Sequence, residues 1–378
     1  MRKLILNARV VSPGIDIPCA AVLLDGGHIV SVIEDGPLPA ADCRIDAGGN
    51  CLLPGFIDIH SHGADGCDCS DASPKALRHI AAKKREEGVT TWLPTTLTAS
   101  REELGGIAHR VADFRSQCGF IRCPGLHVEG PFINPEKAGA QNARFIRPPD
   151  VQEIAELNAI VPVKILSLAP ELPGALEVIE ACRRLGIVCS AAHSAATAAE
   201  IFKACDAGLG HLTHFGNAMS PLHHREIGMV GAGLLDDRLM LEFIPDGVHV
   251  SPDMLRLLFK VVPIERLMMV TDSTAASWRG DGGMRLGGLE VEIRNGLARV
   301  VGSGALAGST LRANEGLRML FQVIGRPLAE LVQVTSWNQA RSLGLGKLGR
   351  IEPGYLADLV LLDADFGVLR SFIGGEEL

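Results

Sequence analysis

From Pro54 onward, strand-length apolar runs alternate with stretches of helical spacing, and this alternation constrains the fold more than any other feature. The runs are Phe56–His60, Thr90–Pro94, Gly125–Glu129, Lys164–Leu168, Val188–His193, Leu212–His214, Met240–Ile244 and Leu267–Asp272. Most are separated by helix-like segments: Pro74–Glu87, Arg101–Gln117, Asp150–Ala159, Ala175–Leu185, Thr197–Ala207 and Pro252–Val261. In the first of these, Leu77, Ile80, Ala81 and Lys84 follow the three/four spacing of a one-sided helix. Strand candidates mostly separated by helices predict an α/β fold, a parallel (β/α)₈ barrel rather than an open sheet.

The flanks read differently. Leu4–Val11, Ala20–Leu24, His28–Ile33 and Cys43–Asp46 are short strand candidates, with Gly26-Gly27 and Gly48-Gly49-Asn50 as turn signals and no long amphipathic helix between them. The tail from Gly349 is strand-like again. The expected organisation is a small β-sandwich domain built from residues 1–53 and 344–378, flanking a barrel over 54–343. Within the barrel segment, Asn295-Gly296 between Leu289–Ile293 and Leu297–Val301 signals a β-hairpin insertion near 284–301. Helical patterns return at Ser309–Val323 and Pro327–Leu343.

A net charge of −8 argues against a general nucleic-acid or anionic-membrane surface, while leaving room for local cations to bind a small anion. The segment MRKLILNARVV carries too short an apolar run for a signal peptide or membrane span. Ten cysteines without regular spacing read as reduced thiols of a cytoplasmic protein. Cys67 and Cys69 could be soft metal ligands, but nothing nearby completes a thiolate site, so loop packing is the expectation.

Metal-competent side chains fall where the apolar runs stop. In PGFIDIHSHG, His60 and His62 sit at i and i+2, so strand alternation points both imidazoles the same way. Glu129 ends the third run, His193 the fifth, His214 the sixth and Asp272 the eighth. In such barrels the carboxy-terminal strand ends form one rim, where active sites sit. Each residue also has a plainer reading: Glu129 paired with Arg144 or Arg147, His193 and His214 as satisfied core histidines, Asp272 as a helix cap. His211, three residues before His214, is expected to face away from the cavity. His127 shares the face of Glu129 one layer deeper and is expected to support the ligands.

Imidazoles with a carboxylate suit Zn²⁺ or Fe²⁺, which lowers the pKa of a coordinated water towards ~7 and polarises a carbonyl. Asp272 is the group expected to take the water's proton and pass it to a leaving amine. The inferred chemistry is metal-assisted amide hydrolysis.

The motifs PGFIDIHSHG, HVEGPF, AAHS, THFGNAM, PDGVH, VTDS, LAGST and GRIEPGYLADLVL, spread nearly end to end, resemble those of the amidohydrolase superfamily. Within it they are most similar to the N-acetylglucosamine-6-phosphate deacetylase family. The resemblance implies a barrel of the metal-dependent hydrolase type, with Glu129, His193 and His214 on the principal divalent metal. It implies that His60 and His62 hold a second metal in binuclear members, so one or two ions per chain, and that Asp272 is the catalytic acid/base. It implies substrate contacts from Ala140, Gln141, Asn217, Ala218, His249 and the stretch Leu306, Ala307, Gly308, Ser309. Arg225 resembles an arginine that reaches across a homodimer interface to the sugar phosphate, for which a guanidinium is suited.

Three positions depart from the family pattern: Gln141 where histidine is usual, Gly216 where a bulkier residue is usual, and Ser273 where alanine is common. They leave the substrate epimer open between N-acetylglucosamine-6-phosphate and N-acetylgalactosamine-6-phosphate. A dihydroorotase-like enzyme acting on another amide would carry a carboxylated lysine at the end of the fourth strand, where this chain has Ala169-Pro170-Glu171. A non-catalytic sugar-phosphate-binding scaffold is the remaining alternative, disfavoured by the intact ligands and Asp272.

Overall fold

The computed structural model describes residues 1–71, 73–117 and 119–377. Cys118, one of the ten cysteines read as reduced thiols, and Leu378, the end of the expected small domain, lie outside the described residues.

Eight parallel strands form one sheet in sequential order: β1 (Phe56–Ser61), β2 (Val89–Thr96), β3 (Leu126–Glu129), β4 (Val163–Leu168), β5 (Val188–Ala191), β6 (Leu209–Leu212), β7 (Met240–Phe243) and β8 (Leu267–Met269). The segment after β8 closes the cylinder. Asp272 N donates to His60 O at 2.9 Å, His62 N donates to Ser273 O at 2.8 Å, and Ser61 and Ser273 form a parallel bridge. The sheet is therefore the expected (β/α)₈ barrel.

Strands β5 and β8 stop before the histidine and aspartate expected to end them, and β6 lies at Leu209–Leu212 instead of Leu212–His214. The reason is local. His193 (φ 46°), His214 (φ 37°) and Asp272 (φ 48°) are left-handed, a conformation that cannot continue a strand ladder.

Helices cover the outside. Helix Pro74–Glu86 is capped by Ser73, which accepts from Lys75 N, and helix Ala198–Ala207 by a Thr197/Glu200 capping box. Helix Gly228–Leu235, GMVGAGLL, has no amphipathic pattern, because it is apolar on every side and mostly buried, which is why it escapes periodicity. The expected helix over Pro327–Leu343 is broken into Leu328–Leu331, a 3₁₀ turn at Val332–Thr335 and helix Trp337–Ser342, with Ser336 (ψ −57°, φ −155°) at the break. That last helix lies against the barrel interior, where Ala340 joins Ile57, Ile59, Leu93, Ile165, Ile244 and Met268 in one buried cluster. Asn338 Nδ2 donates to Ile264 O and Leu267 O, both at 2.8 Å, holding it there.

A second eight-stranded sheet is built from both ends of the chain. Lys3–Ser12 pairs in parallel with Cys43–Asp46 along its first half and with Cys51–Pro54 along its second. Cys51–Pro54, not among the expected strands, is a strand, and its other edge pairs antiparallel with Leu359–Leu362. Ile5, Val22, Leu24, Leu52, Leu359 and Phe372 fill the core of this sheet. The insertion is a three-stranded antiparallel sheet, Gly282–Leu286, Leu289–Arg294 and Leu297–Val300, turning at Gly287-Gly288 and Asn295-Gly296. Among the described residues no helix is long and apolar enough to cross a membrane.

Candidate active site

The carboxy-terminal ends of the strands gather the expected groups around Glu129. His214 Nε2 lies 3.1 Å and His193 Nε2 3.4 Å from Glu129 Oε1, and the two imidazole nitrogens are 3.2 Å apart. On the other side, His62 Nε2 is 3.3 Å from Glu129 Oε2, His60 Nε2 is 3.5 Å from Oε1, and these nitrogens are 3.3 Å apart. Asp272 Oδ1 stands 3.3 Å from His60 Nε2 and 3.2 Å from His62 Nε2. All six side chains are buried. Glu129 is thus shared by two three-residue donor sets, His60/His62/Glu129 and Glu129/His193/His214.

This donor arrangement fits a divalent cation. With bonds of 2.0–2.1 Å, tetrahedral ligand atoms sit about 3.3 Å apart. Two outer ring nitrogens fix their tautomers: His62 Nδ1 is 3.2 Å from Thr95 O and His193 Nδ1 is 2.8 Å from Lys137 O. A nitrogen next to a carbonyl must carry the hydrogen, which leaves Nε2 with its lone pair aimed inward. His60 Nδ1 meets the Glu242 carboxylate at 3.2 Å. The electrostatics agree. Burial works against a charged His62 imidazole, yet Asp272 and Glu129 hold it well above its ordinary value, so the field at this point favours positive charge. Burial likewise opposes ionisation of Glu129, but His60, His193, His214 and His62 hold its carboxyl well below the usual range.

Beneath lies a supporting layer. His127, as expected, is there: Nδ1 is 2.8 Å from Ile59 O, Nε2 is 2.8 Å from Ser167 Oγ, and its ring meets His60 edge-on. Burial and the neighbouring His60 push its pKa down to about 3, so it stays neutral. His211 corrects the expectation that it faces away. It bonds Ser342 Oγ, and its Nδ1 lies 3.7 Å from Glu242 Oε1, inside the barrel below the site. Alternation counted back from His214 fails because His214 lies beyond the strand and the β5–β6 pairing shifts register at Cys189/Ser190. Glu242 was missed. Its only sequence signal is a lone acid in the apolar run MLEFI.

A cavity of about 380 Å³ opens above this layer. His62, Glu129, His193, His214 and Asp272 form its base, while His60 is completely buried behind them. Ala140, Gln141, Asn217, Ala218, His249, Leu306, Ala307 and Gly308 line it, as the resemblance implied. Ser309 does not; it supports from behind, with N donating to Asp272 O at 2.7 Å and Oγ bonding Thr271 O. Gln141 is engaged at both ends: Oε1 accepts from Thr98 N and Nε2 donates to Glu129 Oε2, each at 2.6 Å. His249 Nδ1 meets Asp246 Oδ2 at 2.6 Å, and this carboxylate outweighs burial and raises the imidazole's pKa. Arg225 is exposed on a loop away from the cavity, 2.8 Å from His224 Nε2. Lys137 and the insertion's Leu286, Leu289, Val291 and Val300 also line the cavity and were not anticipated. Cys19, Cys43, Cys51, Cys67, Cys69, Cys182, Cys189 and Cys205 are free thiols, and neither Cys67 nor Cys69 enters a donor set.

Comparison with known proteins agrees with this architecture. The amidohydrolase family profile matches residues 51–378. The chain is 37% identical over 353 residues to an N-acetylgalactosamine-6-phosphate deacetylase of Escherichia coli O157:H7, covering 92% of each. It is 35% identical to an N-acetylglucosamine-6-phosphate deacetylase of Bacillus subtilis over 98% of this chain and 96% of the relative. The structure superposes with a TM-score of 0.93 on a point mutant of the Mycobacterium smegmatis N-acetyl-D-glucosamine-6-phosphate deacetylase in complex with N-acetyl-D-glucosamine-6-phosphate, at 32% identity over 100% of this chain and 99% of that one. The chain belongs to the amidohydrolase family.

Proposed function

We propose that this enzyme hydrolyses the acetamide of an N-acetyl amino-sugar 6-phosphate, yielding acetate and the free amino-sugar phosphate. One observation carries the reading: a buried carboxylate shared by two imidazole pairs, with Asp272 beside one pair, forms the floor of a cavity sized for a small molecule. Glu129, His193 and His214 hold the principal divalent ion, and His60 and His62 hold a second. Zn²⁺ or Fe²⁺ in this donor set would supply Lewis acidity for the amide carbonyl and acidify water, while neutral Gln141, with one Nε2–H engaged with Glu129, is the weaker polariser.

The chain's own groups do the rest. Asp272 accepts a proton from the attacking water and returns it to the leaving amine nitrogen. Asn217, Ala218 and the backbone of Leu306–Gly308 orient the sugar. His249, oriented by Asp246, faces the phosphate. Arg225, exposed and outside its own cavity, reaches the phosphate of the neighbouring subunit in a homodimer. The free thiols of Cys19, Cys43, Cys51, Cys67, Cys69, Cys182, Cys189 and Cys205 fit a cytoplasmic enzyme.

N-acetylglucosamine-6-phosphate is the first substrate reading. N-acetylgalactosamine-6-phosphate is the second, favoured by the 37% identity to an enzyme named for that epimer. Acetate release from both phosphorylated epimers and their unphosphorylated forms, with metal content measured on the same sample, tests the proposal. Turnover of one phosphorylated epimer with about two ions per chain is expected, in keeping with the paired donor sets. Equal turnover of unphosphorylated sugars refutes the phosphate roles of Arg225 and His249. No acetate from any of them refutes the reaction.

A further inference from the structure

Helix Pro74–Glu86 places a lysine where its buried face calls for an apolar residue. Lys84 is completely enclosed, among the largest fully buried side chains of the protein. A cation is rarely buried unless it is paired, and this one is fully partnered. Its Nζ lies 2.6 Å from Ser273 Oγ, 3.1 Å from Thr271 Oγ1, 3.1 Å from Asp58 Oδ2 and 3.2 Å from Glu87 Oε2.

Two of those partners flank Asp272 in the chain, one on each side. Asp272 is itself left-handed at φ 48°, a conformation that persists only where its surroundings impose it. The ammonium ties this turn to β1. Thr271 Oγ1 donates to Asp58 Oδ2 at 2.6 Å, Asp58 Oδ1 lies 3.4 Å from His60 N, and Ser273 Oγ lies 3.1 Å from Ser61 Oγ and donates to Gly63 O at 3.1 Å. The hydroxyl of Ser273, a departure from the family pattern, is therefore the closest link between Lys84 and the aspartate's turn. Glu87 anchors the far side, accepting from Trp278 Nε1 at 2.8 Å and Ala313 N at 3.2 Å.

We propose that Lys84 is a positioning residue: by gripping Thr271 and Ser273 from below, it holds the Asp272 carboxylate over the His60 and His62 imidazoles. This rests on the reading above, in which Asp272 moves the proton. A merely structural Lys84 would balance the charge of Asp58 and Glu87 and do nothing more.

The test separates these roles. Lys84→Met leaves two buried carboxylates without a cation and can fail to fold, so Lys84→Met/Glu87→Gln, which restores the net charge of the cluster, is the decisive variant. Positioning predicts a folded double variant whose kcat is about a hundredfold below wild type with KM within about threefold, the scale of a 1 Å misplacement. A crystal structure of the double variant is expected to show the Asp272 carboxylate moved off the two imidazoles. Ser273→Ala, which keeps the cation but removes its bond to this turn, is expected to lose about tenfold in kcat at unchanged KM, the low end for a hydrogen bond to a charged group. Recovery of wild-type kcat in the double variant, or Asp272 unmoved in its structure, overturns the proposal. A wild-type protein that releases no acetate sinks the functional reading instead, and the crystallographic result then decides the role of Lys84 alone.

Discussion

The two imidazole pairs reach the same carboxylate by different routes. His60 lies in β1 and His62 one residue past its end, where the extended alternation still aims both side chains, and a carboxylate and a backbone carbonyl hold their outer nitrogens. His193 and His214 lie past the ends of β5 and β6, turned inward by left-handed backbone, and His193 is held by the carbonyl of Lys137 on a separate loop. One pair is set by a strand and its extended continuation, the other by turns that the surrounding packing must enforce. Regular elements make a site readable. Turns make it depend on the rest of the fold.

The strongest way to break this comparison is Glu129→Gln, which removes the group common to both pairs. Acetate release is expected to fall by at least about 10³-fold, with bound metal dropping at both sets. Full metal content would show the pairs to be independent. Next, His214→Asn is expected to lose about 10²–10³-fold in kcat, while His60→Asn retains more activity and loses one equivalent of metal, measured by elemental analysis beside turnover. The reverse order would reassign the principal ion to the strand pair. Glu242→Gln sharpens the contrast, because of the four paired imidazoles it touches only His60: metal affinity of that pair is expected to weaken about 10–100-fold in a chelator titration, with the other pair unchanged. Arg225→Ala, outside both pairs, is expected to raise KM about tenfold or more for the phosphorylated substrate and to leave metal binding alone. The smallest effect is expected for Gly216→Ala beside His214. Nothing lies within 4 Å of the added Cβ, but φ is +90°, so about 1–2 kcal/mol of stability is lost in denaturant melts while KM holds.

The barrel was legible because its strands are near-continuous apolar runs with one-sided helices between them. The His60/His62 pair was legible for the same reason, since period-two alternation is written directly in HSH. His193, His214 and Asp272 could be found as residues but not as geometry, because neither histidine nor aspartate announces a positive φ as glycine does. Glu242 and the carbonyls of Thr95 and Lys137 were invisible for a deeper reason: their partners lie on strands and loops that only the closed barrel brings together. Lys84 showed in the helical spacing, but nothing in that spacing tells a buried cation from one on the surface. Helix Gly228–Leu235 was lost because burial on all sides erases periodicity.

The strand Cys51–Pro54 runs directly into β1, and it is flanked by Lys3–Ser12 on one edge and Leu359–Leu362 on the other. Leu359 pairs with Pro54 across some three hundred residues of chain, so the step that seats the root of the histidine strand is among the most non-local in the molecule. During synthesis that edge stays open until residues 359–362 have been made. Until Leu359–Leu362 arrives, the strand that leads into the histidine pair is seated on one edge only.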